Sequence, residues 1–241
     1  MLKRNIFLLL ASVTIAGSIS AQVRPGVKAG YNLGGVMANY LGAETPENLK
    51  KMAGDPGNFH LKSGFQGGMI ADCPISNSFA IQPGVRFALQ GFTDKYTSNG
   101  DVIRKFSLYY LQVPVYAQYR LNIAEETNLL FQAGPYASFA LFGRQSYDRK
   151  GKSQELSDTQ KKITFGEYKD INKAFDYGVS AGFGIEFYRF QLVAAYDFGL
   201  TQPTFKKDAK SAQYHVDMRN HNFSLTLAVI FGRRDPLQRR D

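Results

Sequence analysis

The stretch AFDYGVSAGFGIEFYRFQLVAAYDFGLT, Ala174–Thr201, decides the fold. It holds two runs of alternating residues joined at Tyr188–Arg189 and reads as a β-hairpin. In the first run Tyr177, Val179, Ala181, Phe183, Ile185 and Phe187 share one face, and Asp176, Gly178, Ser180, Gly182, Gly184 and Glu186 the other. In the second run Phe190, Leu192, Ala194, Tyr196, Phe198 and Leu200 continue the apolar face, opposite Gln191, Ala195, Asp197 and Gly199. Such runs exceed the about five or six residues of an ordinary strand and match the roughly nine to eleven that a tilted strand needs to cross a bilayer. The apolar face is therefore expected to meet lipid.

Working outward, the same alternation predicts strands at Val27–Met37, Leu61–Cys73, Phe79–Phe92, Phe106–Leu121, Leu129–Gly143 and Asn222–Phe231. With the hairpin this makes eight. The connections run long, short, long, short, long, short, long, with Pro74–Ser78, Asn122–Asn128 and Tyr188–Arg189 as the short ones. The long ones are Ala38–His60, Thr93–Arg104, Arg144–Lys173 and Gln202–Asn220. That directional pattern is expected of an eight-stranded antiparallel up-and-down transmembrane β-barrel with short periplasmic turns and long extracellular loops, and a Greek-key sandwich has no reason to produce it. Outward aromatics gather near strand ends, Phe79, Tyr119, Phe187, Phe190 and Phe231 at the short turns, and Tyr109, Phe139, Tyr177, Phe198 and Phe223 toward the long loops. Two such girdles suit the two membrane interfaces. Pro83, Pro114 and Pro135 each remove a ladder donor. Bulges that curve the sheet are the expected reason, a soft seam at a protein contact the alternative.

The first residues set the compartment. Lys3 and Arg4, the apolar Ile6–Ala16 and the small residues Ser18–Ala21 before Gln22 form a cleaved signal peptide, 1–21, followed by a barrel domain, 22–231, and a basic periplasmic tail, 232–241. The formal charge of +9 falls to +7 when Lys3 and Arg4 leave. A basic exported chain without nucleic-acid motifs points to anionic surfaces and not to DNA or RNA. The single Cys73 cannot form an internal disulfide, so barrel closure must supply the stability.

The runs Lys62–Gln90, Leu108–Tyr119 (LYYLQVPVYAQY), Gly134–Ala140 (GPYASFA) and Phe175–Leu200 resemble the PorT-like outer-membrane β-barrel family of Gram-negative bacteria, across nearly the whole mature chain. The resemblance implies an eight-stranded outer-membrane barrel of porin-like character. It also admits a part in protein secretion, the role of the family's namesake.

If the apolar side faces lipid, the interior holds Lys28, Asp72, Arg86, Arg120, Asp176, Glu186 and Asp197, with Gln66, Gln82, Gln90, Gln112, Gln118 and Gln191. Three cations meet four anions. An eight-stranded bore is just wide enough for its own side chains, so a plugged, salt-linked core is expected, with no channel. Arg86 should pair with Asp197 or Glu186, while Lys28, Asp72, Arg120 and Glu186 lie toward the periplasmic end. The inward Gly178, Gly182 and Gly184 are expected to make room for long side chains from opposite strands.

His60, His215 and His221 fall in or beside outer loops, and their spacing from Ser63, Ser211 and Asp217 matches no hydrolase signature, so no enzyme activity, cofactor or metal is expected. Arg144–Lys173 carries eight Lys/Arg against five Asp/Glu and Gln202–Asn220 four against two, a basic rim suited to outer-membrane lipid. Phe165, Tyr168 and Ile171 suit a surface or secretion-system protein partner. Phe231 resembles the terminal aromatic read by the barrel-assembly machinery. The chain is thus expected to be a monomeric, non-enzymatic envelope barrel; the alternatives are a secretion accessory and a narrow small-solute pore.

Overall fold

The computed structural model describes residues 23–40, 59–96, 102–149, 152–153, 162–163, 174–201 and 216–232. The signal peptide, Phe165, Tyr168, Ile171, His215 and the tail after Gly232 lie outside them. Ten strand segments are present: β1 Arg24–Tyr40, β2 Phe59–Pro74, β3 Phe79–Tyr96, β4 Val102–Ala124, β5 Thr127–Arg149, β6 Lys152–Ser153, β7 Lys162–Ile163, β8 Phe175–Phe187, β9 Phe190–Gly199 and β10 Val216–Ile230. Eight are staves, ordered β4-β3-β2-β1-β10-β9-β8-β5, and the β4–β5 pairing closes the ring. Every pairing is antiparallel. Closure leaves no free edge at membrane depth, which hydrocarbon requires.

The strands are longer than the alternation alone indicates. β3 and β4 pair up to Tyr96 and Val102, so most of Thr93–Arg104, read as a long loop, is sheet. Alternation fades there because a wall standing above the membrane has no lipid to select its outer residues. β6 and β7 likewise pair with β5 inside the third long connection. Two tight turns, Glu125–Glu126 and Tyr188–Arg189, carry positive φ at Glu126 (57°) and Tyr188 (51°), the twist that two-residue hairpins favour.

Stepping between cross-strand neighbours from Arg24 through Asp72, Gln82, Tyr116, Gly134, Ser180, Asp197 and Asn222 returns to β1 at Gly34, ten residues above the start. This shear tilts the staves and brings distant sequence positions to one depth. The prolines do not form bulges. Register runs unchanged past Pro83, Pro114 and Pro135, and the shifts lie instead at Leu61/Gln66, Tyr109/Tyr110 and Asn122/Ala124. Each proline coincides with a gap in a ladder, on the β2–β3, β3–β4 and β4–β5 seams in turn. A missing N–H deletes bonds without adding a residue, so pairing lapses in register.

The predicted faces hold. Phe65, Met69, Phe87, Phe183, Leu225 and Leu227 are all exposed outward, as a lipid-facing wall demands. Leu225→Arg is expected to cost about 2–4 kcal/mol, the penalty of a cation on the lipid face near the midplane. Urea titration of the barrel folded into lipid vesicles measures it.

Candidate functional site

The interior is built from inward positions that the pleat supplies at every second residue. Four cations and four anions are buried among the described residues: Arg24, Lys28, Arg86 and Arg120 against Asp72, Asp176, Glu186 and Asp197. Arg24 lies ahead of Val27, where the alternation predicts the first strand to begin, yet it is the first residue of β1 and points inward. Its phase with Gly26 and Lys28 was the available signal.

The shear sorts these groups into levels. At the short-turn end Arg120 donates from Nε to Glu186 (3.0 Å to Oε2) and from Nη2 to Asp72 Oδ1 (2.6 Å) and Gln118 Oε1 (3.0 Å). Arg24 forms a second ion pair with Asp72. Glu186 also accepts from Gln191 Nε2 (2.6 Å) and Asn128 Nδ2 (3.3 Å). Asp72 on β2 and Glu186 on β8 stand on opposite sides of the ring, so Arg120 ties the bore across its width. Gln82 Nε2 donates to Gln191 Oε1 across the same bore at 3.2 Å.

Higher up, Arg86 on β3 reaches Asp197 on β9, again an opposite stave, at 2.5 Å, while its Nε donates to Gln112 Oε1 at 2.7 Å. Of the two partners expected for Arg86, Asp197 and Glu186, it is Asp197 that pairs, and Glu186 goes to Arg120. Asn222 Nδ2 adds a bond to Asp197 Oδ2 at 3.2 Å. Lys28 departs from expectation. It joins neither level; its Nζ lies 5.3 Å from the Tyr116 ring centroid, a cation–π contact between them. The cause is shear, which lifts β1 so that Lys28 stands level with Tyr116 of β4. Asp176 sits nearest the long loops, accepting from the Thr201 hydroxyl and from Asn220 Nδ2 at 3.0 Å, and has no cation within ion-pair distance among the described residues.

The inward glycines make room chiefly for neighbouring strands, not opposite ones. A methyl at Gly182 would lie 2.7 Å from Ala194 O, and one at Gly178 would meet Phe198 O and lie 2.6 Å from the Tyr136 hydroxyl. Tyr136 is the direct cross-strand partner of Gly178 and covers it. Near the long-loop rim, Lys62 crosses the inside of β3 to donate to Phe106 O (3.1 Å) and to the Ser107 hydroxyl on β4. Phe92 and Phe106 stack beside it at 4.6 Å.

Among the described residues no group of three His, Cys, Asp or Glu could hold a metal ion. His221 packs on the outer wall 6.1 Å from Tyr196. Cys73 is half-buried and unpaired by disulfide. Phe231 lies just past β10, outward and exposed, its N–H donating to Pro25 O at 2.7 Å where the two ends of the barrel meet.

A family described as "Outer membrane protein beta-barrel domain" matches residues 17–204, a span that takes in β1 through β9. The chain belongs to that family. Membership places this outer-membrane barrel in the outer membrane. β10, beyond the matched span, supplies the closing pairs with β1. Among solved structures the barrel is similar to Ail, the attachment invasion locus protein of Yersinia pestis, at 15% identity and a TM-score of 0.37 over 87% of this chain and 99% of that one. It is similar to Neisserial surface protein A at 15% identity and 0.37, over 86% and 97%. It also matches the outer membrane protein AlkL at 12% identity and 0.39, over 89% and 94%. No curated protein matches the chain.

Proposed function

We propose that this outer-membrane barrel is a monomeric, non-enzymatic, porin-like envelope protein of Gram-negative cells, exported by a cleaved signal peptide, whose bore is shut and whose basic outer loops contact surface lipid or a protein partner. The observation that carries the shut bore is Arg120 tying Asp72 to Glu186 across the short-turn end. An ionic tie of this kind, across a bore just wide enough for its own side chains, supports a bore without a continuous aqueous path. With the bore shut, binding falls to the loops, and the excess of Lys and Arg in 144–173 and 202–220 suits the phosphates of surface lipid. Phe231 and the strand ends beside it supply the terminal element for the barrel-assembly machinery. The PorT-like resemblance supports a second reading, an accessory part in protein secretion, which crosslinking to secretion components in cells would favour.

Planar-bilayer recording of the refolded mature protein tests the main reading. Wild type and Arg86→Ala are both expected to be silent, because the short-turn tie survives that substitution. Steady, ion-selective steps in wild type that change in Arg86→Ala would make the protein a narrow pore.

A further inference from the structure

We infer that the bore above its floor is an outward-facing, water-exchanging vestibule, sealed from the periplasm by the Arg24–Asp72–Arg120–Glu186 lattice and not by the Arg86–Asp197 bridge. The inference rests on the shut-bore reading and divides the bore in two. Hydrogen-bond satisfaction changes along the axis. Asn32 Oδ1, Gln66 Oε1 and Nε2, Gln90 Nε2, Tyr116 Oη, Ser180 Oγ, Asp197 Oδ1 and Asn222 Oδ1 are buried with no protein partner among the described residues. All seven side chains stand seven or more residues from the short-turn ends of their strands. In the lattice at the other end a single atom, Arg120 Nη1, lacks a partner.

Buried polar groups without partners are costly, and native interiors pair them with protein or water. Asn32 and Asn222 cannot turn freely to find protein partners, since their amide nitrogens already donate to Leu89 O (2.9 Å) and Asp197 Oδ2 (3.2 Å). Water is the small molecule that satisfies acceptors and donors alike. Its entry side is marked by the rim, which is apolar over β3–β5, where Phe92, Leu108 and Tyr110 are buried, and polar over β8–β10, where Asp176 bonds Thr201 and Asn220. From Asp176 the polar positions descend through Asn222 and Asp197 on neighbouring staves to Arg86. Below that level Lys28 over Tyr116 and the lattice close the path.

Cysteine accessibility tests this in the full mature chain, folded in detergent so that both ends meet solvent, on a Cys73→Ser background. Gln66→Cys and Asn222→Cys report the vestibule, Gln118→Cys the floor, and a heat-modifiable gel shift confirms folding of each. A small methanethiosulfonate reagent is expected to label the two upper sites at least about tenfold faster than Gln118→Cys, the factor that one missing hydrogen bond in local opening supports. Where one upper variant fails to fold, the other carries the test. Equal protection at both levels, or faster labelling of Gln118→Cys, overturns the inference. Wild-type conductance would instead overturn the shut bore itself.

Discussion

Arg120→Ala is expected to destabilise the folded barrel by about 3–5 kcal/mol, the largest loss among single interior side chains, because it takes one shared guanidinium from two buried carboxylates at once. Asp72 and Glu186 have 0% and 3% side-chain exposure and cannot recruit bulk water in place of the guanidinium. Arg24 would still face Asp72, and the Gln191 and Asn128 amides would still reach Glu186, but neutral amides do not replace a guanidinium. Arg120→Lys should recover part of the loss, since one ammonium cannot reproduce a fork that serves Glu186 from Nε and Asp72 from Nη2. The contrast is the rim pair Lys105–Asp148, whose lysine side chain is 48% exposed. Lys105→Ala should change stability by no more than about 1 kcal/mol. Urea midpoints of the barrel folded in lipid rank the three; equal losses for Arg120→Ala and Lys105→Ala would mean the lattice adds nothing to stability.

Gly134→Val is expected to abolish folding altogether. A Cβ at Gly134 would overlap the Val115 carbonyl oxygen and lie 3.0 Å from Tyr116 Cα, so the obstacle is backbone, which cannot rotate aside as a side chain could. The β4–β5 ladder is already interrupted at this point beside Pro135, so forcing the strands apart would remove pairing where little is left. Gly67→Val, at an outward position where a Cβ would meet nothing nearer than Lys28 O at 3.7 Å, should fold normally. Heat-modifiable mobility after refolding separates them, and a folded Gly134→Val would show the close approach to be dispensable.

The barrel was legible because lipid imposes a period of two on every stave, and Ala174–Thr201 shows that period over two staves at once. The same constraint fixed the inward face, so seven of the buried charges and the Arg86–Asp197 pair could be read from chain order and depth. Arg24 was missed because the alternation begins only where outward residues become apolar. Lys28 was placed with the floor because depth counted along a strand omits shear, which no single strand reveals. The prolines and inward glycines were visible as residue types, but their reasons lie in distances between strands. The sheet at Thr93–Arg104 escaped because a wall standing above the membrane has no lipid to impose the alternation on its outer residues.

The three proline gaps have a mechanical consequence. Acyl chains press on a barrel from the side, and a closed wall carries that pressure as hoop compression passed from stave to stave through its cross-strand bonds. Pro83 and Pro135 fall in one oblique row, with Pro114 next to it, so three consecutive seams lose bonds along a single line while β8, β9, β10 and β1 keep theirs. A hoop under compression bends first where its staves are least tied. Thickening or stiffening the surrounding bilayer should flatten the cross-section about that line, making one quadrant the compliant part of an otherwise rigid cylinder.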